Sequence, residues 1–168
     1  TVIGHEITHG FDDQGSKFDG KGNRKTWWTN TDRARFDKKA KVLVKQFNNY
    51  KVTGGLKVNG QLTLGENIAD LGGASIAFDA YQLRLKKTGR KNIGGFTPEQ
   101  RFFLSFALFE RELRRPEAAK TQVLTDPHSP GLFRINGPAS NLPEFYSALN
   151  VKKGDKLYRA PASRAKIW

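Results

Sequence analysis

The sequence lacks cysteine altogether, and its apolar residues never form a long run. Without cysteine the chain cannot form disulfides, thiolate metal sites or a cysteine nucleophile, so any zinc site must use histidine and carboxylate ligands. Without a run of roughly 18 apolar residues, no segment predicts a membrane-spanning helix. The chain also opens without a basic and apolar secretion signal. The remaining composition, with 37% hydrophobic and 27% charged residues over 168 positions, predicts one folded domain.

Acidic residues are scarce: 16 Asp and Glu oppose 29 Lys and Arg, which leaves a net charge of +13. Such a charge favours contact with anions, including nucleic acids. The basic residues are nevertheless dispersed, as over 33–41 and 84–91, with apolar residues between them at helical spacing. This pattern is typical of solvated helix faces rather than of a binding stripe. A nucleic-acid-binding domain stays an alternative that rests on net charge alone, and we expect no nucleic-acid partner.

Helical periodicity dominates the chain. Apolar residues recur at three- and four-residue steps over 31–50 and over 65–87, which predicts two amphipathic helices. Thr97-Pro98-Glu99-Gln100 has the form of a capping box, and it opens a third helix that we expect to reach Arg114. Shorter helices are predicted through Gly10, just before Asp126, and over 142–149.

Three further signals concern turns and packing. Asn59-Gly60 separates two short apolar segments, 56–58 and 61–64, and this dipeptide tolerates the backbone angles of a tight turn, which predicts a short β-hairpin. The prolines and glycine of 126–131 predict an irregular loop. The small residues at 72–74 predict that another element packs closely against the second long helix.

His5 and His9 are four residues apart in His5-Glu6-Ile7-Thr8-His9. On a helix both imidazoles lie on one side and can bind one metal ion, while Glu6 reaches the open side of that ion. This pattern is the zinc peptidase signature. A short pattern also arises by chance, so the alternative is a helix with two unrelated histidines and an acid.

A catalytic zinc needs a third protein ligand and keeps one position for water. No histidine-rich element follows, so the third ligand must be a carboxylate. Glu66 and Asp70 lie four residues apart on one predicted helix face and are the candidates. The alternative is that the helix dipole favours an acid near the helix N-terminus and that Asp70 is merely solvated.

The third histidine, His128, follows Asp126 by two residues and precedes Arg134 by six. A histidine held by a carboxylate can donate a hydrogen bond to an oxyanion, and a nearby arginine can bind a peptide carbonyl. The alternative is a surface histidine with ordinary salt-bridging neighbours.

Three motifs, in this order, resemble the neprilysin family of zinc metallopeptidases, and the final Ile167-Trp168 resembles its C-terminus. They are Val2-Ile3-Gly4-His5-Glu6-Ile7-Thr8-His9-Gly10-Phe11-Asp12-Asp13-Gln14-Gly15, then Val58-Asn59-Gly60 with Leu64-Gly65-Glu66-Asn67-Ile68-Ala69-Asp70-Leu71-Gly72-Gly73, then Asp126-Pro127-His128-Ser129-Pro130 with Phe133-Arg134. The resemblance implies that His5, His9 and Glu66 bind one zinc ion and that Glu6 is the catalytic base. It implies that Asp70 orients a zinc-binding histidine, His5.

The same resemblance implies roles for the third motif. His128 stabilises the transition state, Asp126 orients His128, and Arg134 binds the substrate backbone. The implied function is a zinc-dependent endopeptidase that hydrolyses oligopeptides through a metal-activated water. The alternative is a catalytically weak or inactive zinc-binding fragment of such an enzyme.

The implied fold is mainly α with a small β component (α+β), the thermolysin-like zinc peptidase C-terminal catalytic subdomain, over residues 1–168. Family members also have an upstream strand with an Asn-Ala motif and a large helical capping domain, so we expect this chain to be a fragment whose partner is the N-terminal part of the same protein. Animal members of the family have cysteine pairs, so the absence of cysteine implies a bacterial-type member. We expect a soluble segment, inside or outside the cytoplasm of a bacterium. Phe106-Ala107-Leu108-Phe109 stands where the family implies a tryptophan, and we expect these residues to fill the core.

Overall fold

The computed structural model describes the backbone of residues 1–168 and every side chain except that of Thr53. Its α-helices are, in chain order, α1 Val2–His9, α2 Asn30–Phe47, α3 Leu64–Thr88, α4 Pro98–Phe109, α5 Pro116–Thr125, α6 Gly131–Ala139 and α7 Pro143–Leu149. Three isolated antiparallel bridges join Phe18 to Arg24, Lys51 to Lys57, and Ile93 to Phe96. The predicted fold class is confirmed. Within the described residues, no helix is long and apolar enough to cross a bilayer.

The core lies between α2, α3, α4, α6 and α7, where each helix contributes its apolar face. Helix α2 begins at the cap Thr29, whose hydroxyl accepts the backbone N–H of Asp32, and it buries the predicted face. Helix α4 begins with the predicted capping box between Thr97 and Gln100. The large buried side chains of the core include Phe36, Leu43, Phe47, Ile68, Phe78, Phe103, Phe106, Ile135 and Phe145.

The predicted hairpin at Asn59-Gly60 is wrong. Oδ1 of Asn59 accepts the backbone N–H groups of Gln61 and Leu62 at 3.1 and 3.0 Å, and α3 already begins at Leu64. The N–H of Gly60 donates to Oδ1 of Asn48 at 2.7 Å, which holds the turn against the end of α2. Because the side chains of Asn48 and Asn59 accept these backbone N–H groups, segment 61–64 does not form the second strand of the expected hairpin.

Two helix boundaries also differ from the expectation. Helix α4 ends at Phe109, five residues before Arg114, because the following segment contacts the start of α6. Oε1 of Glu112 accepts the backbone N–H of Gly131 at 3.0 Å, a contact that a continuing helix would not offer. Helix α6 was not predicted, because its sequence includes two glycines and Pro138.

Helix α1 lies against α3 through backbone contact rather than through large side chains. Its buried residues are Gly4 and Thr8. A Cβ atom added at Gly73 would lie 2.7 Å from the backbone N of His5, and one at Gly72 would lie 2.6 Å from Oγ1 of Thr8. The predicted close packing at 72–74 is therefore present, and α1 is the element that packs there.

We expect Gly73→Ala to lower the free energy of unfolding by about 2 kcal/mol, because the new methyl group meets backbone atoms of α1 that cannot rotate away. Urea denaturation followed by circular dichroism measures this difference. Gly20→Ala is the matched control, since a Cβ there has no neighbour within 4 Å, and it should change stability by less than about 0.5 kcal/mol. Equal stability of the two variants would contradict the proposed role of the contact.

Candidate metal centre

The close contact between α1 and α3 brings two histidines and a carboxylate to one point. Nε2 of His5 lies 3.0 Å from Nε2 of His9 and 3.3 Å from Oε2 of Glu66. Nε2 of His9 lies 3.5 Å from Oε1 of Glu66. Among the described side chains, these three residues form a group whose ligand atoms could hold one metal ion.

The distances suit a small tetrahedral cation. Zn–N and Zn–O bonds of roughly 2.0–2.1 Å imply about 3.3 Å between two ligand atoms of a tetrahedron. The three separations between His5, His9 and Glu66 bracket that value. Oε2 of Glu66 is also buried without a well-oriented hydrogen bond to any described group. A cation bound between the three side chains would satisfy this oxygen.

The outer nitrogens of both histidines contact carboxylates. Nδ1 of His5 lies 2.8 Å from Oδ1 of Asp70, and Nδ1 of His9 lies 2.8 Å from Oδ2 of Asp12. Each carboxylate favours the tautomer with a proton on Nδ1, which leaves the lone pair of Nε2 directed at the cluster. The ring orientations are therefore set by contacts outside the cluster.

Carboxylates surround this cluster and change its protonation. Contacts with the carboxylates of Asp70 and then Glu66 raise the pKa of His5 to about 9. Burial alone would raise the pKa of Glu66, but the close contact with His5 and the charges of the nearby histidines lower it below its usual value. The site thus favours a positive charge between these residues, whether a proton or a metal cation.

His128 approaches the same cluster from the loop between α5 and α6. Its Nε2 lies 3.2 Å from Oε2 of Glu66, and its Nδ1 lies 2.8 Å from Oδ1 of Asp126. The backbone N–H of His128 also donates to Asp126, and this hydrogen bond lowers the pKa of that carboxyl. Oγ of Ser129 donates to Oδ1 of the buried Asn67, next to Glu66, which ties the loop to α3.

Arg134 lies on α6 and binds the carboxylate that also contacts His5. Its Nε and Nη2 donate to the two oxygens of Asp70 at 2.9 and 2.8 Å, and its Nη1 lies 3.4 Å from Oε1 of Glu110. Burial alone would lower the pKa of Arg134, but these contacts with Asp70 raise it. Asp70 therefore links the histidine cluster on α1 to the arginine on α6.

A cavity of about 260 Å³ opens beside the cluster. Glu6 is exposed and lines it together with His5, Asp70, His128 and Arg134. Its apolar wall consists of Val2, Phe106 and Phe109. The expectation that 106–109 would fill the core is wrong in part: Phe106 is buried, but Leu108 and Phe109 are more than 60% exposed, and Phe109 lines the cavity.

The structure thus brings together every residue that the sequence singled out, namely His5, Glu6, His9, Glu66, Asp70, Asp126, His128 and Arg134. Two further residues were missed. Asp12 follows His9 by three positions, and the rule that metal-binding histidines contact a carboxylate could have found it. Glu110 had no such signal, because only the tertiary fold brings it to Arg134.

Comparison with known proteins agrees with this geometry. The family model for peptidase family M13 matches residues 1–165. The chain belongs to peptidase family M13. The resemblance to neprilysin is confirmed, since human neprilysin is 41% identical over 99% of this chain. Endothelin-converting enzyme 1 of Rattus norvegicus is 43% identical over 99% of this chain.

Solved M13 structures share this fold. The Mycobacterium tuberculosis zinc metalloprotease Zmp1, in complex with an inhibitor, superposes with a TM-score of 0.95 at 45% identity. The match covers 99% of this chain and 26% of that one. The chain likewise spans 22% of the length of rat endothelin-converting enzyme 1 and 23% of human neprilysin.

We expect Asp12→Asn to weaken zinc binding by about 10- to 100-fold, the usual effect of removing a carboxylate that orients a metal-binding histidine. The change keeps an oxygen for the backbone N–H groups of Gln14 and Gly15, but it replaces the acceptor of His9 Nδ1–H. Competition with a fluorescent zinc chelator measures the affinity. Asp13→Asn is the control, because Asp13 contacts neither histidine, and an equal loss in both variants would exclude a specific role for Asp12.

Proposed function

We propose that this chain is the catalytic part of a zinc-dependent endopeptidase that hydrolyses oligopeptides. His5, His9 and Glu66 hold one zinc ion. The observation that carries this proposal is the convergence of their ligand atoms, with the outer nitrogens of both histidines already engaged by Asp70 and Asp12. Zinc bound there lowers the pKa of water towards 7 and polarises a carbonyl group.

Glu6 is the general base of the proposed reaction. Its carboxylate is exposed at the cavity, one residue from His5, and it is absent from the ion pairs around the cluster. A carboxylate in this position can take a proton from the attacking water and pass it to the nitrogen of the leaving amine. Glu66, by contrast, is largely buried against three histidines and serves as a ligand.

His128 and Arg134 bind the substrate oxygens. Nε2 of His128 faces the cluster and donates a hydrogen bond to the developing oxyanion, while Nδ1 contacts Asp126, which orients the ring. Arg134 binds a backbone carbonyl of the peptide. Asp70 orients Arg134 and His5 with one carboxylate, which makes it a positioning residue for both functions.

The proposed enzyme is longer than 168 residues, with this segment as its C-terminal catalytic subdomain. The length of its relatives supports this, since they extend well beyond the match. The outer face of α1 supports it as well: Ile3 is 79% exposed and Ile7 is 58% exposed, on the same helix as the candidate catalytic and metal-binding residues. The N-terminal part of the same protein would cover this apolar face and complete the substrate cleft.

Replacing Glu6 tests its proposed role as the general base. We expect Glu6→Gln in the complete enzyme to keep stoichiometric zinc and to lower kcat by at least about 100-fold, because the amide cannot accept the proton of water. Metal analysis and a fluorogenic peptide assay measure the two properties. Glu99→Gln is the control and should retain full activity. Glu99 forms an ion pair with Arg90 and is distant from Glu6 in the sequence. Near-normal turnover of Glu6→Gln would refute the assignment.

Comparing the isolated 168 residues with the complete enzyme tests whether zinc binding lies in this chain while the substrate cleft needs the rest of the protein. We expect the isolated chain to bind zinc, because its three ligands are present, and to hydrolyse peptides poorly, because part of the cleft lies elsewhere. Calorimetric zinc titration and the same peptide assay separate the two properties. Robust, chelator-sensitive cleavage by the isolated chain would show that these residues contain the whole active site.

A further inference from the structure

Glu110 brings a negative charge into the cavity beside the metal cluster. It is the first residue after α4, its side chain is 19% exposed, and it lines the cavity together with His5, Glu6 and His128. Neither the metal group nor the proposed proton transfer uses it. Its position next to Arg134 gives it direct access to whatever enters the cavity.

The backbone around Glu110 is held in place by the start of α6. A Cβ atom added at Gly131 would lie 2.4 Å from the carbonyl oxygen of Glu110, so the two segments are in direct contact. Two residues later, Glu112 accepts the backbone N–H of Gly131. The backbone of Glu110 therefore cannot shift away from the cavity without separating α6 from the end of α4.

The charge of Glu110 is only partly neutralised. Arg134 gives its two short hydrogen bonds to Asp70, at 2.9 and 2.8 Å, and lies 3.4 Å from Glu110 through Nη1 alone. One cation thus serves the carboxylates of Asp70 and Glu110, and its Nη2 also lies 3.8 Å from Oε2 of Glu66. The negative charge that remains lies at the edge of a cavity whose other wall, formed by Val2, Phe106 and Phe109, is apolar.

The size of the cavity suits one side chain. Its volume of about 260 Å³ lies below the roughly 300–1,000 Å³ of pockets that enclose whole small molecules. Because Glu6 and His128 border it, the side chain that fills it belongs to a residue next to the scissile bond. An apolar wall and a carboxylate match a side chain with an aliphatic stem and a cationic end.

We propose that Glu110 is a specificity-determining residue that selects peptides with lysine or arginine next to the scissile bond. This inference rests on the proposed peptidase function. The competing role is that Glu110 only holds Arg134 in position. The two roles differ in effect, because a lost positioning contact weakens the cleavage of all peptides alike, whereas a lost selecting charge changes the ratio between basic and neutral ones.

Matched peptides measure this ratio in the complete enzyme. Lysine and norleucine share the aliphatic stem and differ in the ammonium group. Each is placed in turn at the two positions that flank the scissile bond. Mass spectrometry of the products identifies the cleavage sites. At one of the two positions we expect kcat/KM to favour lysine by about tenfold. Glu110→Gln should reduce that ratio to about one. Glu117→Gln, on exposed α5, should leave it unchanged.

Two results would overturn the proposal. One is a ratio of one at both positions in the unmodified enzyme, and the other is an unchanged ratio in Glu110→Gln, including an equal loss for both peptides. If no peptide is cleaved, the proposed peptidase function fails separately. Calorimetric binding of the same peptides to the unmodified protein then tests Glu110: tighter binding of the lysine peptide supports the selecting charge, and equal binding refutes it.

Discussion

The close backbone contact between α1 and α3 determines whether the candidate metal centre exists. A Cβ at Gly4 would lie 3.1 Å from Cα of Gly73, and the space beside Gly72 is filled by Thr8. Helices approach this closely only where glycine stands on one side of the contact, as Gly4, Gly72 and Gly73 do here. This close packing of α1 on α3 places ring nitrogens of His5 and His9 2.8–3.5 Å from the carboxylates of Glu66 and Asp70, which project from one face of α3. Any larger residue at the contact would separate the ligands.

Buried carboxylates organise the rest of the site around that contact. Asp70 binds His5 on one side and Arg134 on the other, so a single residue of α3 connects α1 with α6. Asp12 orients His9 while its other oxygen holds the loop after α1 through two backbone N–H groups. The histidines, the arginine and the loops therefore form one connected network of hydrogen bonds and ion pairs.

Local patterns predicted the features that depend on neighbours in sequence. Apolar spacing identified α2 and α3, the capping box at Thr97 identified the start of α4, and the spacing of His5 and His9 identified the candidate ligands. Predictions failed where side chains accept the backbone N–H groups or where a distant segment packs against the predicted element. Asn59 and Asn48 take the donors that the expected hairpin needed, and Gly131 meets the segment where α4 was expected to continue.

The sequence by itself determined the chemistry of the protein: its histidines and carboxylates, their helical spacing and the absence of thiols restrict any metal site to nitrogen and oxygen ligands. Only the tertiary structure decided which carboxylates meet which histidines, that Asp12 belongs to the site, and that Glu110 faces the cavity. The physical reason is distance along the chain. Glu66 and Asp70 reach α1 through helix packing, and Glu110 reaches Arg134 through the contact at Gly131, neither of which local periodicity encodes.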